Sequence, residues 1–358
     1  MTTAELDVIV PGPITQRTGG YIYDARMVDG LRGLGWDVRV HELAGHFPDG
    51  GGGGERALRD TLAAIADGAR VLTDGLAVGA LPGPVREAAG RLRLVALVHH
   101  PLGDETGLDA ETSERWLRLE VDTLAACRGV VVTSRFTERR LAGLGVPEER
   151  IRVVRPGTDP ASGPPEPEAS PPVLLTVGAV VPRKGQLDLA RALVRLVELP
   201  WTWVCLGSLG RDPAYAAAVR ECLDAGGLSS RVRWLGECAP ETVRQWYRRA
   251  SVFVMPSHYE GYGMALADAV AYGVPVVSTT GGAIPDTVPA AAAVLVPPGN
   301  EDALCLALSS LLSPEGGTPR RAALAAAARA EAARLPSWTD MVATFARALE
   351  ELTPDGAL

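Results

Sequence analysis

The 358-residue chain lacks most of the short signatures that announce a reaction. It has no GxGxxG, no GxxxxGK[ST], no GxSxG and no HExxH. Their absence removes the nicotinamide fingerprint, the P-loop, the hydrolase elbow and the zincin helix. It also has no DxD pair to hold a metal-bound diphosphate, so no metal and no other cofactor is expected. The five cysteines (Cys127, Cys205, Cys222, Cys238 and Cys305) are scattered, with neither a CxxC pair nor zinc spacing, which suits a reduced compartment and core thiols. No apolar run approaches the ~20 residues that span a bilayer, and MTTAELDVIVPG reaches proline too soon for the apolar region of a signal peptide. Basic excess is missing too: 35 Lys and Arg against 43 Asp and Glu leave a net charge of −8, unsuited to a nucleic-acid binder. A cytoplasmic protein without an integral membrane segment is expected.

What is present is length and alternation. The chain is long enough for two domains, and 47% hydrophobic residues can supply a core to each. Short apolar runs read as strands at 6–10, 37–43, 70–74, 92–100, 129–134 and 151–156, with helical patterns between them, among them 21–35 and 113–127. The second half repeats the scheme at 172–178, 201–207, 231–236, 251–256, 275–279 and 292–297. Strand–helix alternation predicts an α/β protein with parallel sheets covered on both faces. DPASGPPEPEASPP, 159–172, is dense in proline and reads as a linker between residues 1–158 and 173–335. GHFPDGGGGGERA, 45–57, reads as a flexible surface loop. Two doubly wound domains facing each other across a cleft follow, with ligands at the carboxyl ends of the strands.

Five post-strand loops then carry the candidate chemistry. In SHYEGYGMALAD, 257–268, Glu260 stands in a turn where Gly261 and Gly263 permit positive φ, and a helix opens near Gly263 with unpaired N–H groups suited to a phosphate. A carboxylate accepts two hydroxyls at once, which matches a sugar diol. Asp268 lies further along that helix, where a buried charge needs a partner such as a ribose. The plainer account makes Glu260 a helix-start charge and Asp268 a solvated residue. VGAVVPRKG, 177–185, offers Arg183 and Lys184 for a diphosphate, although two basic residues in a loop are often only solvated. QRTGG, 16–20, precedes a helix that Thr18 could cap, with Gly19 and Gly20 exposing N–H groups. His99 and His100 end a strand, and alternation lets only one of them face a ligand easily. A histidine there is as readily structural as functional. In STTGGAIPDTV, 278–288, Gly281 and Gly282 serve either the same ligand or simply a turn.

The ordered set resembles the family 4 retaining glycosyltransferases of the GT-B fold. It comprises TGG, the histidine strand end, VTSRFTERRL, VRPGTD, the PRKG loop, MPSHYEGYGMALADAVAYGVPVVST, the GG-xx-PD turn and VLVPPGNEDAL. The resemblance implies transfer of a hexose from a nucleoside diphosphate sugar, a UDP-sugar favoured over GDP-mannose, to a hydroxyl or amine of a small-molecule, lipid or glycan acceptor. It also implies roles by position. Glu260 would contact the hexose and Asp268 the ribose, Arg183 or Lys184 the diphosphate, with Gly19, Gly20, Gly261, Tyr262, Gly263 and Met264 lining the donor and His99 or His100 near the sugar. The final helix, 336–358, would cross back onto the first domain. Two residues depart from the family pattern: Asp268 replaces the usual glutamate, and Ala179 stands where arginine is frequent. The alternatives are a GT-B epimerase or phosphorylase and a non-catalytic nucleotide-sugar-binding protein.

Overall fold

The computed structural model describes residues 4–166 and 169–354. Each of the twelve apolar runs is a strand. The first six are β1 (Glu5–Pro11), β2 (Asp37–Leu43), β3 (Arg70–Asp74), β4 (Arg93–Val98), β5 (Gly129–Val132) and β6 (Ile151–Val153). They form one parallel sheet in the order β2-β1-β3-β4-β5-β6. The second six are β7 (Val173–Val177), β8 (Thr202–Leu206), β9 (Val232–Gly236), β10 (Val252–Met255), β11 (Val276–Thr279) and β12 (Ala293–Val296), in the order β12-β11-β10-β7-β8-β9. The chain accordingly has the two-domain Rossmann-like α/β architecture.

The near-continuous apolar strands are explained by burial on both faces. In the second sheet, Leu174, Val252 and Val254 enter one core with Trp203 and Cys205. Their immediate neighbours Val173, Leu175, Phe253 and Met255 enter another on the opposite face. Because side chains alternate along a strand, all four positions of β10 have a core to fill.

The chain divides into two compact units. One runs to Gly157 and resumes at Trp338; the other is Thr158–Ser337. In the first unit the helix Trp338–Leu352 packs on the helix Gly19–Gly33, where Gly30 leaves room for Val342. Phe345 there meets Tyr23 edge-on at 6.2 Å, while the Thr353 carbonyl accepts from Arg70 at 3.3 Å and Arg93 at 3.1 Å. In the second unit the proline-dense segment is fastened to the helix Pro240–Arg249. Glu166 N–H donates to the Arg248 carbonyl at 2.9 Å, and Arg248 donates to Pro164 at 3.1 Å. Pro167 and Glu168 lie outside the described residues.

Four expectations are corrected. The glycine-rich stretch is an ordered turn, with His46 N–H on the Gly51 carbonyl at 2.8 Å and a helix starting at Gly54. Its glycines are needed where φ is positive and where Gly45 meets the Gly54 backbone. Strand β4 stops at Val98, so His99 and His100 lie in the bend beyond it and strand alternation does not govern them. Thr18 holds the N-cap position in extended backbone but makes no side-chain capping bond. Two of the five free cysteines, Cys127 and Cys205, are core thiols, pushed up to about 12 with burial as the leading cause; the other three are half-buried.

One buried acid ties stability to pH. Glu120, on the helix Ala110–Ala126, accepts from the Leu102 N–H at 3.0 Å, while its Oε1 has no hydrogen-bond partner among the described residues. Burial first, then the Asp104 charge, pushes the carboxyl up to about 8 against the pull of Leu102 and Arg140. A raised folded-state pKa confers stability that is complete below the ordinary carboxyl range and is lost as pH climbs through that value. The apparent Tm should fall between pH 5 and about pH 9, each unit of separation being worth about 1.4 kcal/mol. Glu120→Gln, which cannot ionise, should lose less over the same range in a melting series.

Candidate functional site

Strand order decides where chemistry can collect. In the second sheet the chain runs outward from β7 through β8 to β9, then returns to β10 on the other side of β7. Loops leaving the carboxyl ends of β7 and β10 diverge there and open a crevice, the usual ligand position in such sheets. The PRKG loop leaves β7 and the Glu260 loop leaves β10.

These loops are pressed together. After β7 the chain makes a short turn, Pro182–Lys184, before the helix Gln186–Arg195. Gly185 joins them at φ +69°, and a Cβ there would collide with the Pro256 carbonyl. His258 N–H donates to the Arg183 carbonyl at 2.8 Å. Lys184 Nζ then reaches Glu260 Oε1 at 2.6 Å, and Ser257 Oγ donates to the same oxygen at 2.7 Å. Arg183 Nη1 donates to the Tyr259 carbonyl at 3.0 Å and lies 3.5 Å from Glu260 Oε2. The Glu260 side chain is only 6% exposed. Burial alone would raise its pKa, but the charges of Lys184 and Arg183 outweigh it and hold the carboxyl below its usual range.

A second loop braces this one from beneath. Ala283 N–H donates to the Glu260 carbonyl at 2.8 Å, Thr287 Oγ1 donates to the Tyr262 carbonyl at 2.6 Å, and Thr279 Oγ1 donates to the Ser257 carbonyl. Any Cβ on Gly281 or Gly282 would strike the backbone of His258 or Glu260. Close approach to the Glu260 loop therefore explains these glycines. His258 pairs through Nε2 with Asp188 at 2.9 Å. That bond, ahead of the opposing effect of burial, raises the imidazole pKa.

The helix Met264–Ala271 opens at Gly263, φ +94°; Gly261 is half-buried without a positive φ. Tyr262 is buried and Met264 half-buried. Asp268 is half-buried rather than fully enclosed, so the expected burial penalty does not arise in full. Its charge adds to burial in raising the phenol of Tyr247 well above the ordinary range. At the place where arginine is frequent in the family, the Ala179 carbonyl accepts from Gln186 at 2.9 Å.

The first sheet has its own reversal, between β1 and β3. Gly19 and Gly20 begin the helix after β1, Asp74 ends β3, and His99 follows β4. His99 Nε2 lies 3.0 Å from Asp24 Oδ1, and its ring edge covers Gly20, where a Cβ would sit 3.1 Å from Cδ2. Gly20 thus makes room for His99, while Gly19 faces open space. The adjacent His100 pairs with Glu105 at 3.3 Å. Donor atoms of Asp24, Asp74 and His99 fall within 4.8 Å of one another. Asp24 already engages Nε2, and a mostly apolar cavity of about 10 Å³ lies beside the two acids. Sequence reading passed over Asp24 and Asp74 because they lie 50 residues apart and look like an ordinary helix acid and a strand-end acid.

Comparison with known proteins gives these loops a context. Residues 25–162 match the model described as Glycosyltransferase Family 4, and residues 171–314 match that described as Glycosyl transferases group 1. A GDP-mannose-dependent alpha-(1-6)-phosphatidylinositol monomannoside mannosyltransferase of Mycolicibacterium smegmatis is 31% identical over 68% of this chain and 66% of its own length. A D-inositol 3-phosphate glycosyltransferase of Xylanimonas cellulosilytica is 32% identical over 63% of this chain and 57% of its own. The matches thus span about two thirds or less of these curated relatives. Among solved structures, sucrose-phosphate synthase from Thermosynechococcus elongatus superposes with TM-score 0.80 at 20% identity, covering 98% of this chain and 99% of that one. Anabaena HepE in complex with UDP-glucose gives 0.75 at 16% identity, covering 97% and 99%. At such identities these likenesses speak for the fold alone. No described helix is long and apolar enough to cross a membrane. With both halves matched in order and the doubly wound sheets in place, the chain belongs to the family 4 glycosyltransferases of the GT-B fold.

Proposed function

We propose that this protein transfers a hexose from a nucleoside diphosphate sugar to an acceptor hydroxyl, with retention at the anomeric carbon. The observation that carries the reading is the buried Glu260 carboxylate clasped by Lys184 and Arg183 where β7 and β10 diverge. Two cations around one acid form a site that can exchange partners. A bound diphosphate would draw Lys184 and Arg183 to its oxygens, and Glu260 would turn to hydroxyls of the hexose. The N–H groups that open the helix at Met264 would add partial positive charge. Charge builds on the departing diphosphate in the transition state, so these groups stabilise that state more than the ground state. Asp268 is assigned to the ribose. His99, rather than the Glu105-paired His100, is assigned to the sugar. No enzymic nucleophile is assigned: the departing phosphate accepts the acceptor's proton on the face it leaves.

The mannosyltransferase and inositol-phosphate relatives support including GDP-mannose among the donors and polyol or lipid-linked hydroxyls among the acceptors. Product analysis with and without acceptor separates transfer from epimerisation or phosphorolysis. A protein that binds donor but yields neither transfer nor slow hydrolysis would be a binding module only.

Three variants test the roles. Lys184→Ala leaves Glu260 buried against Arg183 alone, and breaking a buried pair costs about 3–5 kcal/mol. Lys184→Met with Glu260→Gln removes both charges together. The double variant should melt above the single one yet lose roughly 10²–10³-fold in kcat; near-normal turnover would remove Lys184 and Glu260 from the reaction. Asp268→Asn should weaken binding of the nucleoside diphosphate about 10-fold or more in calorimetry, the value of a hydrogen bond to a charged group. Unchanged affinity would leave Asp268 an ordinary helix residue.

A further inference from the structure

The first unit contains two buried carboxyl groups that the reaction above does not use. Asp24 is 3% exposed and Asp74 5%. Asp24 reaches the cluster from the second turn of the helix Gly19–Gly33; Asp74 reaches it from the end of β3. Asp24 Oδ1 holds His99 Nε2 at 3.0 Å, whereas Asp24 Oδ2 is buried without a hydrogen-bond partner among the described residues. The Asp74 side chain accepts from the Leu76 N–H at 2.7 Å. Beside the two acids lies the cavity of about 10 Å³, walled mostly by Val8, Met27, Leu72 and other apolar side chains. Two ionised carboxylates so near each other in such surroundings are not tolerated, so one must keep a proton.

The His99 ring is held on every side but one. Gly20 lies under its Cδ2–Nε2 edge, and Tyr23 meets it edge-on at 5.5 Å. The His99 carbonyl accepts from Thr133 Oγ1 at 3.2 Å. No described residue bonds Nδ1, and 21% of the side chain is exposed.

We propose that Asp24 and Asp74 are positioning residues: with His99 they form a buried proton-sharing network that fixes the ring through Nε2–H on Asp24 and leaves Nδ1–H as a donor to an oxygen of the bound ligand. The network rests on the transferase reading for the identity of that ligand, a hexose hydroxyl or a phosphate oxygen. The charges acting on His99 support it. Burial opposes the imidazolium, but the Asp24 carboxylate and then Asp74 outweigh it and push the ring up to about 8. Burial, followed by the charge of Asp24, pushes Asp74 up to about 8 as well, against His99 and the Leu76 N–H. Asp74 is thus the carboxyl of the pair that keeps a proton most readily, and the His99 ring keeps its own above the ordinary imidazole range. Other polar groups on packed elements include the Tyr23 hydroxyl, committed to the Val154 carbonyl at 2.9 Å, the His100–Glu105 pair, and Arg26, whose guanidinium stacks 5.3 Å from Trp338.

The test is the ring titration of His99 in the full chain, followed by NMR of labelled histidine with His99→Gln for assignment. Wild type should titrate well above an ordinary histidine. Asp24→Asn, which keeps the shape and removes the charge, should lower the midpoint by about one pH unit or more. Asp74→Asn keeps an acceptor for Leu76 and should lower it by less, which preserves a test if Asp24→Asn does not fold. The alkaline limb of kcat/KM should move down with the ring midpoint, a displacement that a merely structural role would not produce. An ordinary midpoint in wild type, or one unmoved in both variants, overturns the network. Ring titration requires no donor, so a wild-type protein that transfers no hexose would strike the transferase reading while leaving the network standing or fallen on its own measurement.

Discussion

The ion pair between Lys184 and Glu260 is the constraint around which the second unit is organised. A lysine and a glutamate so enclosed contribute little net stability, because the cost of removing both from water consumes most of their attraction. Their positions are nevertheless over-determined. Gly185 lets the PRKG turn seat against Pro256, His258 N–H holds the Arg183 carbonyl, and the loop after β11 braces the Glu260 backbone from below. That much support for a pair of small stabilising value is economical if the pair is a resting arrangement. A preorganised acid and two cations cost no reorganisation when a charged ligand replaces one of the partners.

Topology explains why such clusters arise in both units. Each sheet begins at an interior strand and reverses direction once, between β1 and β3 in the first and between β7 and β10 in the second. At these points loops from neighbouring strands part, and side chains distant in sequence converge without crowding. Asp24, Asp74 and His99 meet at one reversal; Lys184, Arg183 and Glu260 meet at the other. In both places an acid would be intolerable alone and is made acceptable by a cationic partner. The second unit uses permanent charges, and the first uses protons.

Much of this was legible from the residues. Parallel strands buried on both faces leave continuous apolar runs, which is why all twelve were found with ends displaced by three residues at most. Glu260 and the basic turn stood out because they occupy loops at the carboxyl ends of strands, where ligands bind in such sheets. What stayed hidden depended on register. Nothing local distinguishes Asp74 from any acid ending a strand, and only the pairing of β1 with both β2 and β3 brings it toward Asp24. Gly281 and Gly282 read equally well as ligand contacts or turn formers until the backbone beneath them was visible. Thr18 had the residue type and place of a cap, yet the helix begins without its side chain.

The central claim is that the basic turn and the Glu260 loop together receive a nucleoside diphosphate carrying a hexose. Calorimetric titration of the purified chain with UDP, GDP and their hexose conjugates tests it most directly. The account predicts that one base binds as its diphosphate with a Kd on the order of micromolar, that the bare nucleoside binds far more weakly, and that added salt weakens the diphosphate more than the nucleoside. Equal binding of diphosphate and nucleoside, or no binding of either diphosphate at millimolar concentration, would contradict it.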